Sequence, residues 1–184
     1  MKHLVSVLLV SVLLLCAIPS AMADVQFRTD YFSMTLPDDS YIDKDGSGAE
    51  ELGENVEKLG IFCPPESIGL VVGVYRVTYE DMQNVSLWIA DEAELREYAD
   101  AVLEDLKDDR PEYLGIVQAG SIPFVVVRGT DADGDYLYAE TMLDGAAIEF
   151  WAFVADEEGE MSYPLTDELI EQFKSILATF KITV

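Results

Sequence analysis

Apolar and polar positions alternate from the start of the mature-looking sequence. Val25, Phe27, Tyr31, Phe32, Met34 and Leu36 predict a strand, or a pair of strands interrupted at Thr29-Asp30. Pro37-Asp38-Asp39-Ser40 ends this pattern, and residues 43–57 are polar and glycine-bearing. Residues 59–63, 69–79 and 85–89 then read as three strands, rich in Val, Ile, Tyr and Trp. At residue 91 the period changes. Asp91 is placed as an N-cap with Glu94 completing a capping box, and Leu95, Tyr98, Val102, Leu103 and Leu106 share one face of a helix over 91–107 whose other face is acidic. Strand patterns return at 113–118, 122–129, 136–143 and 146–155. Asp144-Gly145 joins the last two as a tight hairpin, because glycine accepts positive φ without a side-chain clash. Residues 146–155 are apolar on both faces, with Ile148, Phe150, Ala152 and Val154 on one and Ala147, Trp151 and Phe153 on the other, as in a central strand covered on both sides. A second helix is predicted from near Thr166, with Leu165 set against Ile170 and an apolar face of Ile170, Phe173, Ile176, Leu177 and Phe180. The expected class is α+β, a mostly antiparallel β-sheet packed between amphipathic helices.

The N-terminus has a different character. Lys2 and His3 precede an apolar run over residues 4–18, and Pro19-Ser20 lead into Ala21-Met22-Ala23. These are the three parts of a signal peptide, residues 1–23, with cleavage before Asp24. The run is shorter than the roughly 18 residues that span a bilayer, and Leu15 before Cys16 does not suit lipidation. Residues 24–184 are therefore expected to form a single globular domain, secreted or periplasmic, with no membrane span after signal cleavage. His3 and Cys16 leave with the signal, so the mature chain has no imidazole and one thiol, Cys63. That excludes catalytic triads, Cys/His nucleophile pairs and most zinc or copper sites. Cys63 closes the apolar run Gly60-Ile61-Phe62-Cys63 and is expected to be buried.

Thirty-six acidic residues against eleven basic ones give a formal charge of −25. Nucleic acid and anionic membrane are thereby disfavoured, and the expected partner is a protein or a cationic ligand. Residues 43–54 fit the register of a twelve-residue calcium loop. Asp43, Asp45 and Ser47 stand at the first, third and fifth places, Gly48 at the turn, Ala49 as a carbonyl donor at the seventh and Glu54 as the bidentate carboxylate at the twelfth. Glu50 at the eighth place and Pro37 upstream depart from that pattern, and a solvated acidic loop is the competing reading. Asp131-Ala132-Asp133-Gly134-Asp135 begins similarly, but Tyr136 and Met142 occupy ligand-loop positions that need Gly and an acid, so a hairpin turn is expected. Glu140 and Glu149, on neighbouring strands near Trp151, are the carboxylate pair best placed for glycoside hydrolysis, and a sheet-surface role is the plainer alternative. Trp88, Trp151 and the tyrosines suit either a groove or a core. The chain carries no glycine-rich phosphate loop, dinucleotide fingerprint or serine nucleophile elbow.

Phe32-Ser33-Met34-Thr35-Leu36-Pro37, the midway helix, the twin hairpin strands and Phe173 with Ile176-Leu177-Ala178-Thr179-Phe180 together resemble the PsbP-type domains of photosynthetic oxygen evolution and their bacterial relatives. The resemblance covers most of residues 31–182, and the aromatic such domains often place just after the proline is matched only loosely by Tyr41. It implies a PsbP-like sandwich and an accessory or binding role, and carries no functional residue across. The functional expectation is a secreted non-enzymatic binding or accessory domain modulated by calcium. The alternative is a carboxylate-dependent glycoside hydrolase acting on extracellular polysaccharide.

Overall fold

Asp144 and Gly145 both take positive φ, 50° and 81°, so the chain reverses over two residues. Strands β8 (Asp135–Leu143) and β9 (Ala146–Asp156) therefore pair antiparallel, from Leu143 opposite Ala146 to Tyr136 opposite Phe153. Around this hairpin the computed structural model describes residues 25–38, 40–43, 53–64, 68–80, 82–132, 134–156 and 164–183. The expected signal segment, residues 1–23, lies outside them.

Among the described residues, β3 (Tyr41–Asp43), β4 (Val56–Cys63), β5 (Ile68–Thr78), β6 (Glu112–Ala119) and β7 (Ile122–Thr130) join the hairpin in a seven-stranded sheet ordered β3-β4-β5-β9-β8-β7-β6. Every pairing in it is antiparallel. β9 takes the middle place, as its two apolar faces require. A smaller sheet ordered β1-β2-β10 is built from β1 (Val25–Arg28), β2 (Phe32–Leu36) and β10 (Lys181–Ile182). The break expected at Thr29-Asp30 is the turn between β1 and β2.

The two helices are α1 (Glu92–Asp105) and α2 (Asp167–Leu177). The Asp91 side chain accepts from the amides of Ala93 and Glu94, at 2.8 and 3.0 Å, while the Asp91 amide donates to the Glu94 carboxylate at 2.8 Å. This is the capping box read from the sequence. Thr166 caps α2 by accepting from the Leu169 amide.

Alternation along β7 divides the core. Phe124 and Val126 join Leu70, Val72, Phe150, α2 residues such as Phe173 and Leu177, and Phe27 and Phe32 of the small sheet. Val125 and Val127 point the other way, to Tyr136, Tyr138 and the α1 residues Ala99 and Val102. The architecture is mostly antiparallel β-sheet with two helices, and α2 shares its side of the large sheet with the small one. No described helix is long and apolar enough to cross a membrane.

Two sequence expectations are corrected. Residues 85–89 are not a strand; Leu87–Ile89 form a 3-10 turn. β5 already has β4 and β9 as neighbours, and the backbone of this segment is tied instead to the β8–β9 hairpin. Cys63 is half-buried rather than buried, and partial burial pushes its thiol pKa up.

Candidate functional site: a carboxylate pair beside an apolar ridge

The two-residue turn fixes what lies opposite what. Glu140 and Glu149 are direct cross-strand partners. They share the α1 side of the sheet with Tyr138 and Trp151, each two residues along its strand. Like charges set opposite each other are unfavourable, and here donors surround them. The hydroxyls of Tyr98, from α1, and Tyr138 both donate to the Glu140 carboxylate. Trp151 Nε1 donates to Glu149 at 3.1 Å, and the Tyr79 hydroxyl approaches it at 3.5 Å.

Burial pushes Glu140 up to about 7, against the opposing effect of its two hydroxyl donors, with the Glu149 and Asp105 charges adding to the rise. Burial also raises Glu149, whose bonds from Trp151 and Tyr79 act the other way. Tyr79, Tyr98 and Tyr138 are raised by their own burial first and by the neighbouring carboxylates next. A glycoside hydrolase presents its two carboxylates to a cleft that admits sugar and water. Here Glu140 is only 7% exposed and is covered by α1 through Tyr98, and Glu149 opposite it is partly buried.

The exposed chemistry lies next door. Residues 79–90 are bound to the hairpin turn at several points: Tyr79 N to Gly145 O at 3.3 Å, Gly145 N to Val85 O at 3.0 Å, Ser86 Oγ to Asp144 Oδ1 at 2.9 Å and Asp144 N to Ser86 Oγ at 2.8 Å. Gly145 sits so close that a Cβ there would lie 2.5 Å from Gln83 Cα. Leu87 anchors the segment inward among Val77, Met142 and Ala147. Tyr79 and Ala90 pack against the same cluster, and four apolar residues face out. Met82 and Val85 are over a third exposed, Trp88 is 50% exposed and Ile89 is 73% exposed.

Grooves flank this ridge. One, of about 550 Å³, runs between Trp88 and the chain end, with Tyr31, Leu143, Ile148 and Ile182 as apolar lining and Asp30 and Asp144 among its charges. Arg76 also lines it, yet its guanidinium lies 3.9 Å from the Glu57 carboxylate and 4.8 Å from the Tyr31 ring centroid, so its charge is already engaged. The second groove, of about 530 Å³, lies between the ridge and α1 and is lined by Val85, Ile89 and Tyr98 with Glu94 and Glu97. Neither Glu140 nor Glu149 lines either groove. The sequence pattern missed the ridge because Val85, Leu87 and Ile89 alternate as in a strand. The polar Gln83-Asn84 just before them was the available sign of a turn.

Of the calcium-loop residues, Asp43 ends β3 opposite Ile61 and Glu54 lies exposed in the turn before β4. Asp45, Ser47, Gly48 and Ala49 lie outside the described residues. Among the described residues no group of three or more metal-ligating side chains is brought together. In the 131–135 segment, Gly134 N donates to Asp131 Oδ1 at 3.0 Å and Asp131 N to Gly134 O at 3.0 Å, which closes a turn between β7 and β8. Arg128 at 2.5 Å and Thr130 at 2.7 Å hold the Asp135 carboxyl below the usual range.

In fold, the chain is similar to the solution structure of cyanobacterial PsbP (CyanoP) from Synechocystis sp. PCC 6803, at 13% identity over 91% of this chain and 97% of that one, with a TM-score of 0.46. It is also similar to a crystal structure from Bacteroides thetaiotaomicron VPI-5482, at 15% identity over 89% of this chain, with a TM-score of 0.42; there it spans 50% of the other chain. No family profile and no curated protein matches the chain. The resemblance to PsbP-type domains is one of fold, and neither likeness assigns a site or an activity.

Proposed function

We propose that the protein is a secreted or periplasmic, non-enzymatic binding or accessory domain formed by residues 24–184. The observation that carries this reading is the division of chemistry between inside and outside. Glu140 is closed off by Tyr98 and Tyr138, and Glu149 beside it is partly buried and held by Trp151, while Trp88 and Ile89 project from a tied turn between two grooves. Exposed contiguous apolar residues mark interaction surfaces. In this reading the large sheet is packed between the two amphipathic helices, supported by α1 and α2 residues clustering with alternate residues of β7. The partner is a protein or other cationic ligand, in keeping with the charge of −25. Calcium acts as modulator at residues 43–54, on the strength of the ligand spacing of Asp43, Asp45, Ser47, Ala49 and Glu54.

The test sets hydrolysis against binding. The mature protein and its Glu149→Gln variant are incubated with a panel of extracellular polysaccharides, and each is also immobilised to recover partners from its own medium or envelope. The binding reading predicts no reducing ends from either protein and the same recovered partner on both. Reducing ends released by the wild type and lost in Glu149→Gln would overturn it in favour of the hydrolase.

A further inference from the structure

We infer that the ridge at residues 82–89 is a docking surface for a basic, apolar polypeptide segment, whose apolar side chains enter the two grooves beside Trp88 and Ile89 while its Lys or Arg residues meet the carboxylates at their rims. The inference rests on the binding reading above and names the surface and the partner class.

Its energetic centre is Trp88, half-exposed beside one of the grooves, since tryptophan is among the residue types that dominate interface energies. Preorganisation adds to this. Hydrogen bonds from Ser86 and Gly145, with Leu87 buried beneath, hold the turn in one geometry, so little conformational entropy remains to be lost on binding. The rims select the sign of the partner. Asp30 and Asp144 line one groove and Glu94 and Glu97 the other, all four on exposed residues, against one cation among the described lining residues, Arg76, whose guanidinium lies 3.9 Å from the Glu57 carboxylate. A second copy of this chain would bring another −25 charge to the same place, and anionic lipid would be repelled likewise.

The experiment is calorimetric titration at physiological salt with a short amphipathic peptide of leucine and lysine. A glycine–lysine peptide of equal charge and a leucine–glutamate peptide of equal apolarity serve as comparisons. The leucine–lysine peptide binds the wild type, and Trp88→Ala with Ile89→Ser weakens it at least about tenfold, measured at a temperature where the melting curve of the double variant shows it folded. Equal binding of either comparison peptide, or an unchanged affinity in the double variant, would overturn the inference. So would Trp88-dependent binding to phosphatidylcholine vesicles with none to the peptide. A native partner recovered equally by the wild type and the double variant would overturn this surface and leave the binding reading standing; polysaccharide hydrolysis lost in Glu149→Gln would overturn the binding reading itself.

Discussion

Glu140 faces Glu149 in a buried sheet position, and the consequence is a stability that depends on pH. Its folded-state pKa, about 7, lies above the ordinary value of 4.5. Between those values the folded chain holds a proton that the unfolded chain releases. The contribution is therefore fully present below about pH 4.5 and is lost as pH rises through about 7, a change on the order of 3 kcal/mol; Glu149 shifts in the same direction. Glu140→Gln keeps an acceptor for a tyrosine hydroxyl and removes the charge. Its melts are expected to be more stable than wild type at about pH 8 and close to it near pH 4.5; a variant equally destabilised at both would contradict the assignment. The pairing itself was legible in the sequence, because a two-residue turn at Asp144-Gly145 places residues four positions out on each side opposite one another. What the sequence did not carry was Tyr98, which reaches Glu140 across 42 positions, so that one member of a pair suited to catalysis by spacing is closed off by packing.

Among the elements, both helices, the hairpins and the central place of β9 follow from caps, turn residues and periodicity, all of them local signals. The segment at 85–89 does not, because its form is dictated by a distant hairpin. Gly145 is the position where that contact is least forgiving: its φ of 81° is strained for any other residue, and a Cβ would meet the Gln83 backbone at 2.5 Å. Gly145→Ala is expected to cost about 2 kcal/mol or more and to speed amide exchange across residues 82–89. Ser86→Ala removes one donor and one acceptor from the same joint and should cost about 1–2 kcal/mol. Wild-type exchange in the ridge of Gly145→Ala would show that the hairpin does not hold it.

For the whole molecule, charge and apolar exposure set the behaviour. A charge of −25 disfavours the compact state through self-repulsion, which cations relieve. Millimolar calcium is expected to raise the melting temperature, and Asp43→Ala with Glu54→Ala to abolish that rise; calorimetry with no shift in the wild type would remove calcium from the account. Composition had already narrowed the chemistry, since His3 and Cys16 both lie within residues 1–23 and the rest of the sequence offers chiefly carboxylates, aromatics and surface shape. The fold then separates these, placing Glu140 inside with Glu149 partly buried opposite it, and an apolar ridge bearing Trp88 outside. That separation is tested most directly by titrating the leucine–lysine peptide into two proteins side by side, the Glu140→Gln/Glu149→Gln variant and the Trp88→Ala/Ile89→Ser variant. The account predicts wild-type affinity for the first and a loss of at least about tenfold for the second; loss of affinity in the first with retention in the second would contradict it.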